Sequence, residues 1–203
     1  MGGIGIWCMH YVANRAIVLL DATGADGQIS YNPGYTTLSF FVPIAVLLAA
    51  FSLLGTNETI SKTRIGFGGA LAGLAICGMH YLGQAGISNY DSVYDVPHVV
   101  GAAIIAVLAS ITALAVFFAL RAAWTNSWWK RATCAIALAG AVSGMHWTAA
   151  LGTQYRFRAR AIGFHQNLTA RQTVTMVIIF VCPNPRSGNV SKFLSGADWV
   201  AVP

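Results

Sequence analysis

Four apolar stretches of about twenty residues each decide what this chain can fold into: 36–55, 65–87, 99–120 and 132–152. The last three hold no Asp, Glu, Lys or Arg. A helix needs about 20 such residues to cross roughly 30 Å of hydrocarbon. Inside lipid a span must satisfy its own backbone hydrogen bonds, so these stretches are read as helices, with Pro43 tolerated as a kink inside a bundle. Composition agrees: 56% of residues are hydrophobic and 9% charged, where a soluble chain carries about a quarter charged. Two shorter apolar runs flank the four. Residues 2–20 open directly in apolar sequence, either as a truncated span or as a segment that does not cross. The run 173–182 ends at Pro183-Asn184-Pro185, and the tail 183–203 has no apolar face and is expected to be disordered. The expected architecture is an all-α membrane protein, a helical bundle with four full spans plus partial spans at each end.

The connecting segments carry an orientation signal. Loops 56–64 and 121–131 hold five Lys and Arg, while 21–35 and 88–98 hold none and carry four Asp. Positive residues mark the cytoplasmic side, so the first pair is expected inside and the second outside. Loop 153–173 has four Arg and falls outside by alternation, against the trend. Trp124, Trp128 and Trp129 read as interfacial anchors. The formal charge of +6 flanks apolar runs, which favours membrane orientation over nucleic acid as its meaning.

A phrase recurs three times along this frame: Cys8-Met9-His10-Tyr11, Cys77-Gly78-Met79-His80-Tyr81 and Gly144-Met145-His146-Trp147. The histidines are 70 and 66 residues apart, room for a pair of helices with their loops. The surroundings repeat as well. A small residue lies three past each histidine (Ala13, Gly83, Ala149), another six past it (Ala16, Gly86, Gly152), and a β-branched residue four before (Ile6, Ile76, Val142). The unit is therefore a helix pair delivering one Met-His-aromatic group. All three groups, with His98 and His165, fall on or near the expected outer side.

Thioether and imidazole together suit copper, thioether favouring Cu(I). Neighbours on a helix project about 100° apart, so one ion is gripped either where a helix unwinds or by ligands from different helices. The candidate ligands are Met9, His10, Met79, His80, Met145 and His146, with Cys8 and Cys77 as further soft donors. The competing reading is packing: a histidine bonded to a carbonyl or tyrosine, a methionine filling space, an aromatic anchored at the interface. Three copies at like depth favour a shared site, because polar groups inside a membrane usually mark one. Small residues at the histidine-plus-three positions would let neighbouring helices approach. Gly69-x-x-x-Gly73 and Gly140-x-x-x-Gly144 predict two further close contacts.

Met-His-Tyr, three times over, at the outer ends of alternate helices, resembles the MHYT domain, an integral-membrane sensory module. The resemblance covers about residues 4–182 and gives a domain of 1–182. It implies that Met9/His10, Met79/His80 and Met145/His146 bind copper and sense oxygen, carbon monoxide or nitric oxide, or redox state. Trp147 replaces the family's tyrosine. Asn14, Gln84 and Ala150 stand where many members carry a second methionine four residues after each histidine. The resemblance further implies a partial member of fungal type, with the first helix missing, the second halved and the last cut short. Its expected partners are the lipid bilayer, a diatomic gas, and a cytoplasmic signalling protein or a second copy; no nucleic acid is expected. The expected location is the plasma membrane, multi-pass.

Other classes fit less well. A transporter or channel is the runner-up, since helix repeats are common there, but spans without charge offer no ion relay. Bis-histidine haem across a membrane wants histidines at both depths. Six carboxylates in the whole chain give acid–base catalysis little to use, so no catalytic residue is assigned and no enzyme is expected. Four cysteines without paired spacing give neither a disulfide framework nor a C-x-x-C site.

Overall fold

A computed structural model describes residues 2–17, 19–20, 26–27, 29–54, 61–120, 128–158, 168 and 170–181. Helices dominate: α1 (Gly2–Asn14), α2 (Pro33–Leu54), α3 (Lys62–Ala85), α4 (Val96–Leu120), α5 (Trp128–Leu151) and α6 (Ala170–Val181). Four of them, α2 to α5, have 22 to 25 residues, or about 33–38 Å at 1.5 Å per residue. Each is long and apolar enough to cross a membrane. The chain is a multi-pass integral membrane protein of the all-α class. Its spans fall within four residues of the expected stretches, and α2 runs unbroken through Pro43. The tail 183–203 and His165 lie outside the described residues.

Because these helices are apolar all round, their outer faces carry large side chains toward lipid, such as Phe67 and Ile136, both more than two-thirds exposed. What distinguishes one face is size. On α3, Gly69 and Gly73 lie one turn apart against α4; a Cβ there would stand 2.6 Å from the Ile111 Cα and 2.5 Å from the Val107 Cα. Backbones meet only because both are glycine, as the first G-x-x-x-G predicts. The second does not behave so. Gly140 and Gly144 on α5 face open space, since the spacing marks a face that can be approached but supplies no partner.

Helix α3 is the centre: α1, α2, α4 and α5 all pack on it, while α6 packs on α1. The three motif helices α1, α3 and α5 end at the same side of the bundle, here called the motif end. There the connections are more ordered than polar loops imply. Strand β3 (Tyr90–Tyr94) pairs antiparallel with β4 (Thr153–Phe157), Tyr90 opposite Phe157 and Tyr94 opposite Thr153. Two two-residue strands after α1, β1 (Leu19–Leu20) and β2 (Asp26–Gly27), also pair antiparallel. The backbone of Tyr31 bridges both Ile87 and Leu168, and Ser30 bonds Ser88 and the Asn89 side chain. The β3–β4 ribbon was hidden in sequence read as loop: each strand has five residues, and their pairing spans 59 to 67 positions.

Candidate metal centre

Each motif histidine sits four or five residues before the end of its helix: His10 before Asn14, His80 before Ala85, His146 before Leu151. Equal depth on three packed helices brings the imidazoles together. Ring centroids lie 4.9 Å apart for His10–His80, 5.3 Å for His10–His146 and 5.0 Å for His80–His146, each pair nearly perpendicular. One ring nitrogen from each lies within 4.8 Å of the others. All three residues are fully buried. Among the described residues, no other three His, Cys, Asp or Glu side chains converge this way.

The hydrogen bonding is incomplete. The Nδ1 atoms of His80 and His146 face one another at 3.2 Å, which requires one to carry the proton and the other to accept it. His10 Nε2 accepts from the Asn14 amide Nδ2 at 3.2 Å. That leaves His10 Nδ1, His80 Nε2 and His146 Nε2 buried without a hydrogen-bond partner. A buried polar atom left unpaired costs about 1–3 kcal/mol. One such atom on each of three converging rings is the mark of a site that receives something.

Gly83, three residues past His80, explains how the rings come so close. The Nε2 end of the His10 ring lies against it, and a Cβ there would overlap Nε2. This is the close approach expected from the small residue at that repeat position. Ala149, its equivalent on α5, is buried too.

The methionines take part in the apolar packing. Met79 packs with Trp7, Cys8 and Tyr11, whereas Met145 packs with Ile76, Cys77 and Val142. Met9 is half-buried against the second of these clusters. One residue back along a helix is about 100° away, so each methionine leaves its helix in a different direction from its histidine. The aromatics after the histidines each stand edge-on to their own imidazole, 5.0–5.5 Å between centroids. Interfacial anchoring suits only Trp147, which is exposed. Tyr11 is buried, and both its hydroxyl and the Trp7 indole engage the Ser39 hydroxyl.

A second layer was missed in the sequence. Asn14 and Gln84, four residues past His10 and His80, stand out there only as places without a thioether. In the structure they meet: Gln84 Nε2 donates to Asn14 Oδ1 at 3.4 Å, and Asn14 Nδ2 also donates to the Tyr31 hydroxyl at 3.1 Å. From β4, the Tyr155 hydroxyl donates to Gln84 Oε1 at 3.1 Å. The available signal was helical: a residue four past another shares its face, so polar residues there point where the histidines point. Burial pushes the Tyr155 hydroxyl up to about 12 and raises Tyr31 likewise. Both remain neutral hydroxyls at any physiological pH.

Two other titratable pairs lie at this end, both exposed. Asp95 pairs with His98, and Asp91 with Arg158. The Arg158 hydrogen bond holds the Asp91 carboxyl below its usual range.

Comparison with known proteins places this geometry. The family profile MHYT, described as a bacterial signalling protein N-terminal repeat, matches residues 3–67 and 73–128, more than half of the chain. The third Met-His copy follows the second matched stretch. The bifunctional diguanylate cyclase/cyclic di-GMP phosphodiesterase MucR of Pseudomonas aeruginosa is 34% identical over 155 residues, 75% of this chain and 22% of that protein. The signalling protein YkoW of Bacillus subtilis is 24% identical over 191 residues, 89% of this chain and 22% of its own length. The chain thus spans about a fifth of these relatives. No solved structure matches it.

Proposed function

Because the chain belongs to the MHYT family of signalling-protein repeats, we propose that it is a membrane sensor whose His10, His80 and His146 hold a copper ion and respond to a diatomic gas or to redox state. One observation carries the reading: three buried imidazoles converge, each with a ring nitrogen lacking any protein partner. The donor set fits. Three neutral imidazoles suit copper, and among the described residues no carboxylate or thiolate converges with them to favour a harder ion or a zinc–thiolate site. Copper held there would supply a one-electron couple and room for a diatomic ligand.

The protein's own part is to keep the rings dry and oriented. Met79 and Met145 are fully buried in two separate apolar clusters, and their thioethers are the nearest soft donors by sequence. The Lys/Arg asymmetry of the loops supports an outward-facing motif end, in the plasma membrane. The signal would then pass along the helices to a cytoplasmic partner or a second copy. In MucR the name describes enzymes of cyclic di-GMP, and the match occupies 22% of that protein; the corresponding role here is sensory rather than catalytic.

Metal analysis of the detergent-purified chain tests this, together with absorption spectra under carbon monoxide and nitric oxide. Wild type should hold copper and shift its spectrum with gas. The double variant His80→Ala/His146→Ala should retain less than about a tenth, while His98→Ala, an exposed histidine, should retain all of it. Equal copper in the double variant would make the motif a packing device.

A further inference from the structure

The second layer has a property that packing alone does not need. Follow the donors from His10 outward. Asn14 Nδ2 donates to His10 Nε2, so the neutral ring carries its proton on Nδ1. Asn14 Oδ1 accepts from Gln84 Nε2, and Gln84 Oε1 accepts from the Tyr155 hydroxyl. Now move the ring proton from Nδ1 to Nε2, with no net gain or loss. Nε2–H then faces the Asn14 amide nitrogen, donor against donor. Turning the amide over presents Oδ1 to Nε2–H and Nδ2 to Gln84. Gln84 must turn in response, offering Oε1 to Asn14 and Nε2 to Tyr155.

Both ends absorb the change, because a hydroxyl donates or accepts by rotation. Tyr155 becomes an acceptor. Tyr31, now accepting from Asn14 Nδ2, becomes a donor to Oδ1. Every bond is kept in either direction. The chain has two complete states and no half-satisfied one, which is what a buried polar network needs in order to switch.

We propose that Asn14 and Gln84 are positioning residues of the histidine site, forming with Tyr31 and Tyr155 a hydrogen-bond chain of reversible polarity that carries the tautomer of His10 to the β3–β4 ribbon. The proposal rests on the copper reading for its physiological trigger. Nδ1 is the unpartnered nitrogen of His10, so an ion taken there needs the proton on Nε2 and selects the second state. Metal-bound imidazoles commonly donate their other N–H to a carbonyl; Asn14 Oδ1 is the carbonyl in reach. At the far end Tyr155 lies in the middle of β4, opposite Ser92 of β3, and the Tyr31 backbone joins Ile87 and Leu168. The third repeat has Ala150 at the equivalent position, so the relay has one direction, from α1 through α3 to the ribbon.

Two measurements on the full chain test this. The first needs no metal: 15N spectra of histidine-labelled protein report which nitrogen of His10 is protonated. Wild type should show Nδ1–H. Asn14→Asp, whose carboxylate only accepts, should show Nε2–H. The same tautomer in both would overturn the relay. The second adds Cu(I) alone and follows amide hydrogen exchange over 86–95 and 152–158. In wild type, exchange there should change on the order of fivefold, the low end of ordinary coupling between sites. Tyr155→Phe keeps the ring and should bind Cu(I) as before, yet lose that response. An undiminished response in Tyr155→Phe would overturn the relay. Wild type that takes up no Cu(I) would overturn the copper reading, and the tautomer measurement would still decide the relay.

Discussion

The two ends of this bundle are made from the same helices and held together by different physics. At the motif end, imidazoles, the side-chain amides of Asn14, Gln84 and Asn89, and tyrosine hydroxyls are buried, and the connections are tied into a ribbon and bridges. At the opposite end contact is apolar and looser. Residues 135–140 of α5 are all exposed. A cavity of about 610 Å³ opens between α4 and α5, lined by Phe51, Leu108, Phe117 and Leu138 with little polar surface. Apolar packing in lipid has no hydrophobic drive behind it, because acyl chains solvate Leu as well as a neighbouring helix does. Directional hydrogen bonds do have a drive there, since an unpaired polar group has no water to turn to. The difference teaches where specificity lies: the polar end fixes how the helices are rotated, and the apolar end follows.

If so, disturbing the motif end should do most harm. Gly83→Leu drives a side chain into the His10 ring. It is expected to abolish the three-ring geometry, lose most bound copper, and destabilise by about 1–3 kcal/mol as overpacking usually does. Metal analysis and unfolding in detergent read the two effects separately. Full copper retention in this variant would break the comparison.

The next effect concerns the two glycine pairs. Gly73→Leu must push α3 off the α4 backbone, with a cost again of about 1–3 kcal/mol. Gly140→Leu enters open space and should change stability by no more than about 0.5 kcal/mol. Equal costs for the two would mean that α5 has a packing partner at the opposite end.

The smallest effect should come from the exposed Asp91–Arg158 pair beside the ribbon. Its sign follows from linkage. The folded-state value of Asp91 is lowered, so its contribution is present above the ordinary carboxylate range and is lost as pH falls through the lowered value. Asp91→Asn should therefore melt slightly below wild type at pH 6, and the gap should close in acid. A gap that widens in acid would refute the assignment.

What the sequence by itself determined is the part written in local composition. Runs without charge specify helices, their number and their lengths. The thrice-repeated Met-His phrase specifies that three histidines share a depth, and the Gly69/Gly73 pair marks a face open to close approach. Rotation was marked on α1 and α3, where His10/Asn14 and His80/Gln84 share a face, but not on the other spans, because an apolar helix has no polar face to betray which side turns inward. Only tertiary packing decided that the imidazoles meet, and that Met79 packs with Trp7 and Tyr11 while Met145 packs with Ile76 and Val142. It alone decided that Gly140 and Gly144 face nothing. The same holds for Asn14, Gln84, Tyr31 and Tyr155, which come from four separate segments. Each reads as an ordinary polar residue in its own surroundings, and the chain of bonds among them exists only once α1, α3 and the ribbon have docked.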